Sequence, residues 1–408
     1  MKLSFLRLIY NIFFRLSPLL ILALIELSLR FLGAGDSYRL FQHTDDKSHY
    51  ELNPLFYQRF ISAEQFPDIR LPEQRFPAEK SPDSKRIFLL ADQSLFALIP
   101  DALQKALLED FYGSDSVRYE IIQVAVPHGN SFSVRHLIQE IRKYEPDAAL
   151  LLTGNNEFYG IPRKSNWIKD ADNYWGLRAY VAMKQFRFFQ VLERFVYIKN
   201  DPAVAFPPPD PDAWAVPRES LSYREVQSLF TRNLENIADK AKFPVIFVSI
   251  PVNLKQVPYR SDFKDKELLD ADFARECAIL VNNADRFMLE RWIQELQAWE
   301  PGTAIGYYCQ AMILEREKDS DMALENYRKA AEMDLFRVRN AIAFNADIRE
   351  IGSRENVFLI DTEKTFREYT EGGLHINRYF VNGITLNESG KLLFRKLLRD
   401  GLVSCLQP

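Results

Sequence analysis

Short, continuous apolar runs alternate with amphipathic stretches along most of this chain. Arg86–Leu90, Tyr119–Val126, Ala148–Leu152, Pro244–Ile250 and Val357–Ile360 have the length and apolar density of buried strands. Between and after them, Asp101–Phe111, Ser133–Tyr144, Tyr223–Lys240 and Ser389–Leu402 carry the spacing of helices with one apolar face. Strands that alternate with helices predict a parallel sheet covered on both sides, an α/β fold in three layers.

Four stretches break this rhythm. The first is residues 1–33. Lys2, Arg7 and Arg15 precede the apolar run Leu16–Ile25, and Glu26 and Arg30 follow it. That run is shorter than the roughly 20 residues a bilayer helix needs. Counted from Leu8 to Leu32 it is long enough, but it then includes Asn11, Arg15 and Glu26. Two readings stand: a signal peptide cleaved near Ala34, and an uncleaved transmembrane anchor with its basic end inside. The anchor is the reading adopted. Glu26 and Arg30 lie four apart and can pair, and Arg15 can snorkel toward the inner face.

Residues 34–84 are polar and aromatic with scattered prolines, and are expected to form an extended tether. Residues 163–220 hold an aromatic helix around Tyr180–Tyr197 and then the Pro-rich stretch Pro202–Pro217, an insertion expected to act as a lid or a docking surface. Residues 263–345 are almost wholly helical. Tyr307, Ala311, Leu314, Ala323, Tyr327 and Ala330 fall at the positions of a tetratricopeptide helix pair, with Tyr307 and Tyr327 expected in its groove. Any amphipathic helical hairpin would satisfy the same spacing. The core thus occupies 85–262 and resumes over 346–408.

Composition narrows the function classes. The chain has 408 residues, 47% hydrophobic and 26% charged, as in ordinary globular proteins. A net charge of −4 without a dense basic stripe excludes a nucleic-acid binder. Cys277, Cys309 and Cys405 have no metal-binding spacing, and no cofactor is implied. Cys277 and Cys309 read as two buried free thiols, or as a bridge if the chain is exported.

The candidate chemistry sits where the strands end. The first strand runs into Ala91-Asp92-Gln93-Ser94. The second runs through Gln123-Val124-Ala125 to Asn130-Ser131. The third gives Gly154-Asn155-Asn156-Glu157-Phe158-Tyr159-Gly160. Near the end stands Asn382-Gly383-Ile384-Thr385-Leu386-Asn387-Glu388-Ser389-Gly390. This series resembles the SGNH/GDSL hydrolases, in a bacterial, membrane-anchored branch with a tetratricopeptide-like insertion. The resemblance implies a flavodoxin-like parallel sheet within an α/β/α sandwich. It also implies a nucleophilic Ser at position 93, and an Asp and a His at 382 and 385. This chain has Gln93, Asn382 and Thr385 there.

Ester hydrolysis needs a hydroxyl activated by a base, and a carboxylate that orients the base. Gln93 has no hydroxyl, Thr385 is no base near neutral pH, and Asn382 carries no charge. The resemblance implies an oxyanion hole from the backbone N–H groups at Gln93 and Ala125 with the side chain of Asn156, which is kept with its neighbours; the alternative is that Asn156 only satisfies neighbouring backbone groups. Ser94 is one residue past the nucleophile position, and a one-residue shift on extended backbone reverses the side chain's direction. His375, in Gly372-Gly373-Leu374-His375, has no Asp three residues before it, and His128 reads as a turn residue near the cleft mouth. The expectation is a catalytically inactive protein at the bacterial inner membrane. It would pass the membrane once, face the periplasm and dock protein partners in an envelope complex. Two alternatives stay open: an acyl esterase or O-acetyltransferase on envelope glycans using Ser94 with His128 or His375, and a non-catalytic binder of an acylated sugar or lipid.

Overall fold

A computed structural model of the chain describes residues 2–60, 71, 73–92, 118–127, 129–160, 174–200, 215–263, 269–283, 286–299, 302–339 and 341–406. The chain divides into two compact units, one of Met1–Arg75 with Lys164–Pro207, the other of Phe76–Arg163 with Pro208–Pro408.

The first unit opens with helix α1 (Lys2–Phe31), which contains Pro18. No helix among the described residues is long and apolar enough to cross a membrane. After it come two short antiparallel strands, β1 (Phe41–His43) and β2 (His49–Leu52), and the sheet is completed by β3 (Arg75–Pro77) beside β2. Residues 34–60 therefore do not run as a bare tether. Leu40, Phe41, Leu52, Phe56, Tyr57 and Phe60 are buried, and Asn53 Nδ2 donates to the carbonyls of Ser37 and Arg39 at 2.6 and 2.9 Å. Strands of three and four residues are too short for an alternating pattern to declare itself, which is why the sequence reads as a tether.

The core unit is built on a five-stranded sheet: β4 (Ser84–Asp92), β5 (Arg118–Val126), β6 (Ala148–Leu152), β7 (Val245–Val248) and β8 (Val357–Ile360). Its spatial order is β5-β4-β6-β7-β8, and every pairing is parallel. Taken in chain order this is the 2-1-3-4-5 arrangement of flavodoxin-like sheets. Ala91 pairs in register with Ala125 and Asp92 with Val126, so the first two strands end level with each other. Alternate residues face opposite layers. Ile87, Leu89, Leu150, Leu152 and Val248 share one buried cluster with Phe394, Leu398 and Leu402 of the last helix.

Among the described residues the helices after α1 are α2 (Ser131–Ile141), α3 (Tyr174–Met183), α4 (Arg187–Asn200), α5 (Leu221–Lys240), α6 (Asp270–Asn283), α7 (Arg286–Trp299), α8 (Ala304–Arg316), α9 (Ser320–Met333), α10 (Ala341–Gly352), α11 (Thr362–Glu368) and α12 (Glu388–Leu406). The helix expected over Asp101–Phe111 lies outside the described residues. The aromatic stretch of the first insertion is two helices, α3 and α4, with a break at residues 184–186, and both belong to the first unit.

In the helical insertion α8 and α9 pack together, with Tyr308 against Tyr327, edge to face at 5.6 Å, and Tyr307 partly buried against the same cluster. Tyr307 lies one position around the helix, under the Lys329 ammonium. The α8 face is covered by α6 through Ala274, Cys277 and Val281. Cys277 and Cys309 are buried in this contact as free thiols, and Cys277 Sγ donates to the Cys309 carbonyl at 3.8 Å.

At the start of α6, Asp270 is buried and accepts from the N–H and the hydroxyl of Ser261, whose oxygen accepts from Ile305 N at 2.9 Å. Burial pushes the Asp270 carboxyl up to about 6, against the pull of the Ser261 hydrogen bonds. A carboxyl whose folded pKa is raised binds more protons folded than unfolded between pH 4 and 6, so its contribution to stability falls as pH rises through that window. Asp270→Asn is expected to remove this slope. The difference in urea midpoint between variant and wild type should move in the variant's favour from pH 4 to pH 7, and a pH-independent difference would refute the assignment.

Candidate functional site

In a parallel α/β sheet the loops beyond the carboxyl ends of the strands form the crevice where ligands bind. Asp92 is the last residue of β4. Gln93, Ser94 and His128 lie outside the described residues. Ala125, buried, is the penultimate residue of β5.

The second segment turns straight into α2. Asn130 caps that helix, its Oδ1 accepting from Phe132 N at 3.2 Å while Ser133 Oγ accepts from Asn130 N at 2.9 Å. Such a reciprocal box satisfies helix N–H groups that have no partner within the helix. Gly129 precedes it because a Cβ there would stand 2.6 Å from both Val126 Cβ and Ser133 Oγ.

The third segment leaves β6 through Gly154, whose φ of +128° suits glycine alone. Asn156 then reaches back, and its Nδ2 donates to the Gly129 carbonyl at 3.0 Å. Glu157 is buried beside it. Its carboxylate accepts from Ser131 N at 2.8 Å, Ser131 Oγ at 2.6 Å and Thr153 Oγ1 at 3.2 Å. Asn233 of α5 donates to the same serine oxygen at 3.0 Å. A buried carboxylate is tolerated only where donors satisfy its oxygens, and three converge here. Glu157 thus binds the second segment to the third. One of the two N–H groups of Asn156 is spent on that same union rather than aimed outward.

The fourth segment is a tight turn closed by an antiparallel bridge between Phe380 and Leu386. Asn382 Oδ1 accepts from Ile384 N at 3.0 Å and Thr385 N at 2.8 Å. Its amide therefore shapes the turn, in the manner of an Asx turn. Thr385 is exposed and its carbonyl accepts from Val381 N at 2.8 Å. Asn387 Oδ1 receives Gly390 N at 3.0 Å at the start of α12. His375 is elsewhere, half exposed before a 3-10 turn, with Nε2 3.4 Å from the Glu371 carboxylate.

Four residues that the sequence reading passes over hold this region together. Asn253, just past β7, donates its N–H to the Gly383 carbonyl at 3.1 Å and its Nδ2 to the Asn382 carbonyl at 3.4 Å. Asp334 and Arg339 form a fully buried ion pair at 2.9 Å. The Arg339 stem lies where a Cβ on Gly383 would meet it at 3.0 Å, and so does the Tyr259 hydroxyl. Burial raises the Tyr259 pKa, although Gly383 N–H and Arg339 oppose the rise. Arg337, two residues earlier, donates its backbone N–H to the Tyr159 hydroxyl of the third segment at 2.8 Å. Its guanidinium is buried among the Val216 and Glu332 carbonyls and the Tyr223 ring, and burial lowers its pKa. The exit from the helical hairpin, residues 334–339, is thereby fastened to the third segment at one end and the fourth at the other. The one sequence signal was the pair of arginines spaced by two in the apolar run Leu335-Phe336-Arg337-Val338-Arg339.

The sheet order makes the core a flavodoxin-like parallel α/β fold. No family model and no curated protein matches the chain. Among solved structures, a lipase/acylhydrolase from Enterococcus faecalis is 12% identical, with 79% of this chain and 98% of that one covered and a TM-score of 0.36. A GDSL-like lipase from Bacteroides thetaiotaomicron is 9% identical, with 87% and 100% covered and a TM-score of 0.35. An acetyl xylan esterase is 12% identical, with 79% and 100% covered and a TM-score of 0.33.

Proposed function

We propose that this SGNH-like protein is catalytically inactive and serves as a membrane-anchored docking subunit of an envelope complex. The N-terminal helix would fix it in the bacterial inner membrane, with the soluble part in the periplasm. The observation that carries the inactive reading is Asn382, whose Oδ1 is committed to the N–H groups of Ile384 and Thr385. A neutral amide closing its own turn neither orients an imidazole nor stabilises an imidazolium, and the residue three positions on is an alcohol. The docking role is supported by the helical hairpin α8–α9, a scaffold whose stacked helices commonly present surfaces to other proteins.

Purified protein is expected to turn over short-chain nitrophenyl esters no faster than buffer, with Ser94→Ala indistinguishable from wild type. Turnover abolished by Ser94→Ala would establish the esterase reading instead. Affinity capture from detergent-solubilised membranes should return a stoichiometric protein partner, and a chain recovered only as a monomer would rule out the docking role.

A further inference from the structure

We propose that the helix pair α3–α4 is a second membrane-contacting element, seated with the outer end of α1 at the bilayer surface. The inference rests on the anchor reading and extends it to a part of the chain far away in sequence.

The first observation is the exposure of α1. Leu19, Leu24 and Leu27 are 63%, 63% and 62% exposed, and Leu20, Ile21 and Leu22 between them are exposed as well. Consecutive residues point to all sides of a helix. A protein groove takes one apolar stripe of a helix, whereas hydrocarbon accepts apolar side chains all round. This surface fits lipid.

Its difficulty is length. The uncharged run Leu16–Ile25 extends only about 15 Å, half the thickness of a hydrocarbon core. Glu26 follows at once, and a carboxylate in or beside hydrocarbon is costly unless it is paired. The structure supplies the partners. Glu26 is 13% exposed in its side chain, accepts from Arg30 Nε at 2.7 Å and accepts from Phe188 N at 3.0 Å. Phe188 lies in the first turn of α4, so the anion caps a helix N-terminus, where unpaired N–H groups and the helix dipole favour negative charge. A second tie lies ten residues on. Asp36 N donates to Gln190 Oε1 at 2.8 Å, Gln190 Nε2 returns a bond to the Asp36 carbonyl at 3.1 Å, and Arg194 pairs with the Asp36 carboxylate at 3.0 Å. Both ties fix α4 to the stretch of chain that immediately follows the apolar run.

Among the described side chains of α3, α4 and the turn between them, the large apolar ones left exposed are Met183, Phe186, Leu192 and Phe195, the last at 68%, beside Gln185 and Arg194. Tyr174, Trp175 and Tyr180 accompany them in sequence, with Arg178, Arg187 and Arg194. Aromatic residues of this kind with arginines are the composition of helices that lie in a lipid headgroup layer.

The test uses the full chain in nanodiscs, with Cys277→Ala, Cys309→Ala and Cys405→Ala as background. An environment-sensitive fluorophore is placed on Leu22→Cys, Phe195→Cys or Lys329→Cys, and bilayers of brominated and ordinary lipid are compared. The expected result is a blue-shifted emission lost to bromolipid at positions 22 and 195, and neither effect at 329. Adding Glu26→Ala together with Gln190→Ala and Arg194→Ala, which removes both ties, should abolish quenching at 195 while leaving it at 22. Quenching at 22 with a water-exposed or unquenched label at 195 would overturn the proposal and leave the anchor standing. A blue shift at 195 without quenching would mean that a protein surface, a partner or a second copy, covers these helices, and would also overturn it. Absence of quenching at 22 would defeat the anchor reading itself.

Discussion

Asp334→Ala is expected to destabilise the core by about 4 kcal/mol, the largest loss from any single change considered for this chain. Four donors converge on this carboxylate. Oδ1 accepts from Arg260 N at 3.0 Å and Phe336 N at 3.1 Å, and Oδ2 accepts from Tyr259 N and Arg339 Nη2, both at 2.9 Å. The Asp and Arg side chains are 2% and 1% exposed, so water cannot replace what is removed. Truncation would leave a buried guanidinium without its counter-charge and three backbone N–H groups without an acceptor. Arg339→Met should cost less, because Asp334 would keep its three backbone donors and the apolar stem would still meet Gly383. Urea unfolding followed by circular dichroism measures both. Equal losses, or a loss under about 1 kcal/mol for Asp334→Ala, would show that the pair does not hold the hairpin exit in place.

Rebuilding the missing triad is the second large effect. The variant Gln93→Ser, Asn382→Asp, Thr385→His is expected to raise nitrophenyl acetate turnover at least about 100-fold over wild type, with no single substitution doing so. The gain is collective because a hydroxyl without a base, or a base without an orienting carboxylate, recovers little. An Asp at 382 can accept the same two N–H bonds that close the turn and still offer an oxygen to an imidazole at 385. The rate should rise with pH through the range where an imidazole loses its proton, near 6.5. A folded triple variant as inert as wild type would mean that the four segments no longer converge. The loss of activity would then lie in the backbone as well as in the side chains.

The two predictions draw on different kinds of information. The candidate triad positions came from the family resemblance, which works on local patterns: a turn after an apolar run, and a short Asn-containing turn before a terminal helix. Asn382 closing its own turn is equally local, since its partners lie two and three residues away. Asp334 and Arg337 were not legible. Their partners, Tyr259, Arg260 and Tyr159, lie 75, 74 and 178 residues away, and no periodicity in a single strand or helix encodes such pairings. Helical spacing gives a face to within one position, and packing against α6 and Tyr327 buries Tyr308 more deeply than its neighbour Tyr307.

The sequence by itself determined that the core is a parallel α/β sheet, because continuous apolar runs between amphipathic helices bury both faces of each strand. Residue type by itself also shows that Gln93 offers no hydroxyl, Asn382 no charge and Thr385 no base near neutral pH, at the positions where the family resemblance would put a nucleophile, a carboxylate and a base. Only the tertiary structure decided that residues 34–60 fold on themselves, that the aromatic helices belong with the N-terminal unit, and that Glu26 caps one of them. It also decided that the hairpin exit is fastened to both the third and the fourth segment. At Glu26 and at the hairpin exit the deciding contact joins groups far apart in the chain, and it brings charge and backbone N–H groups together out of water.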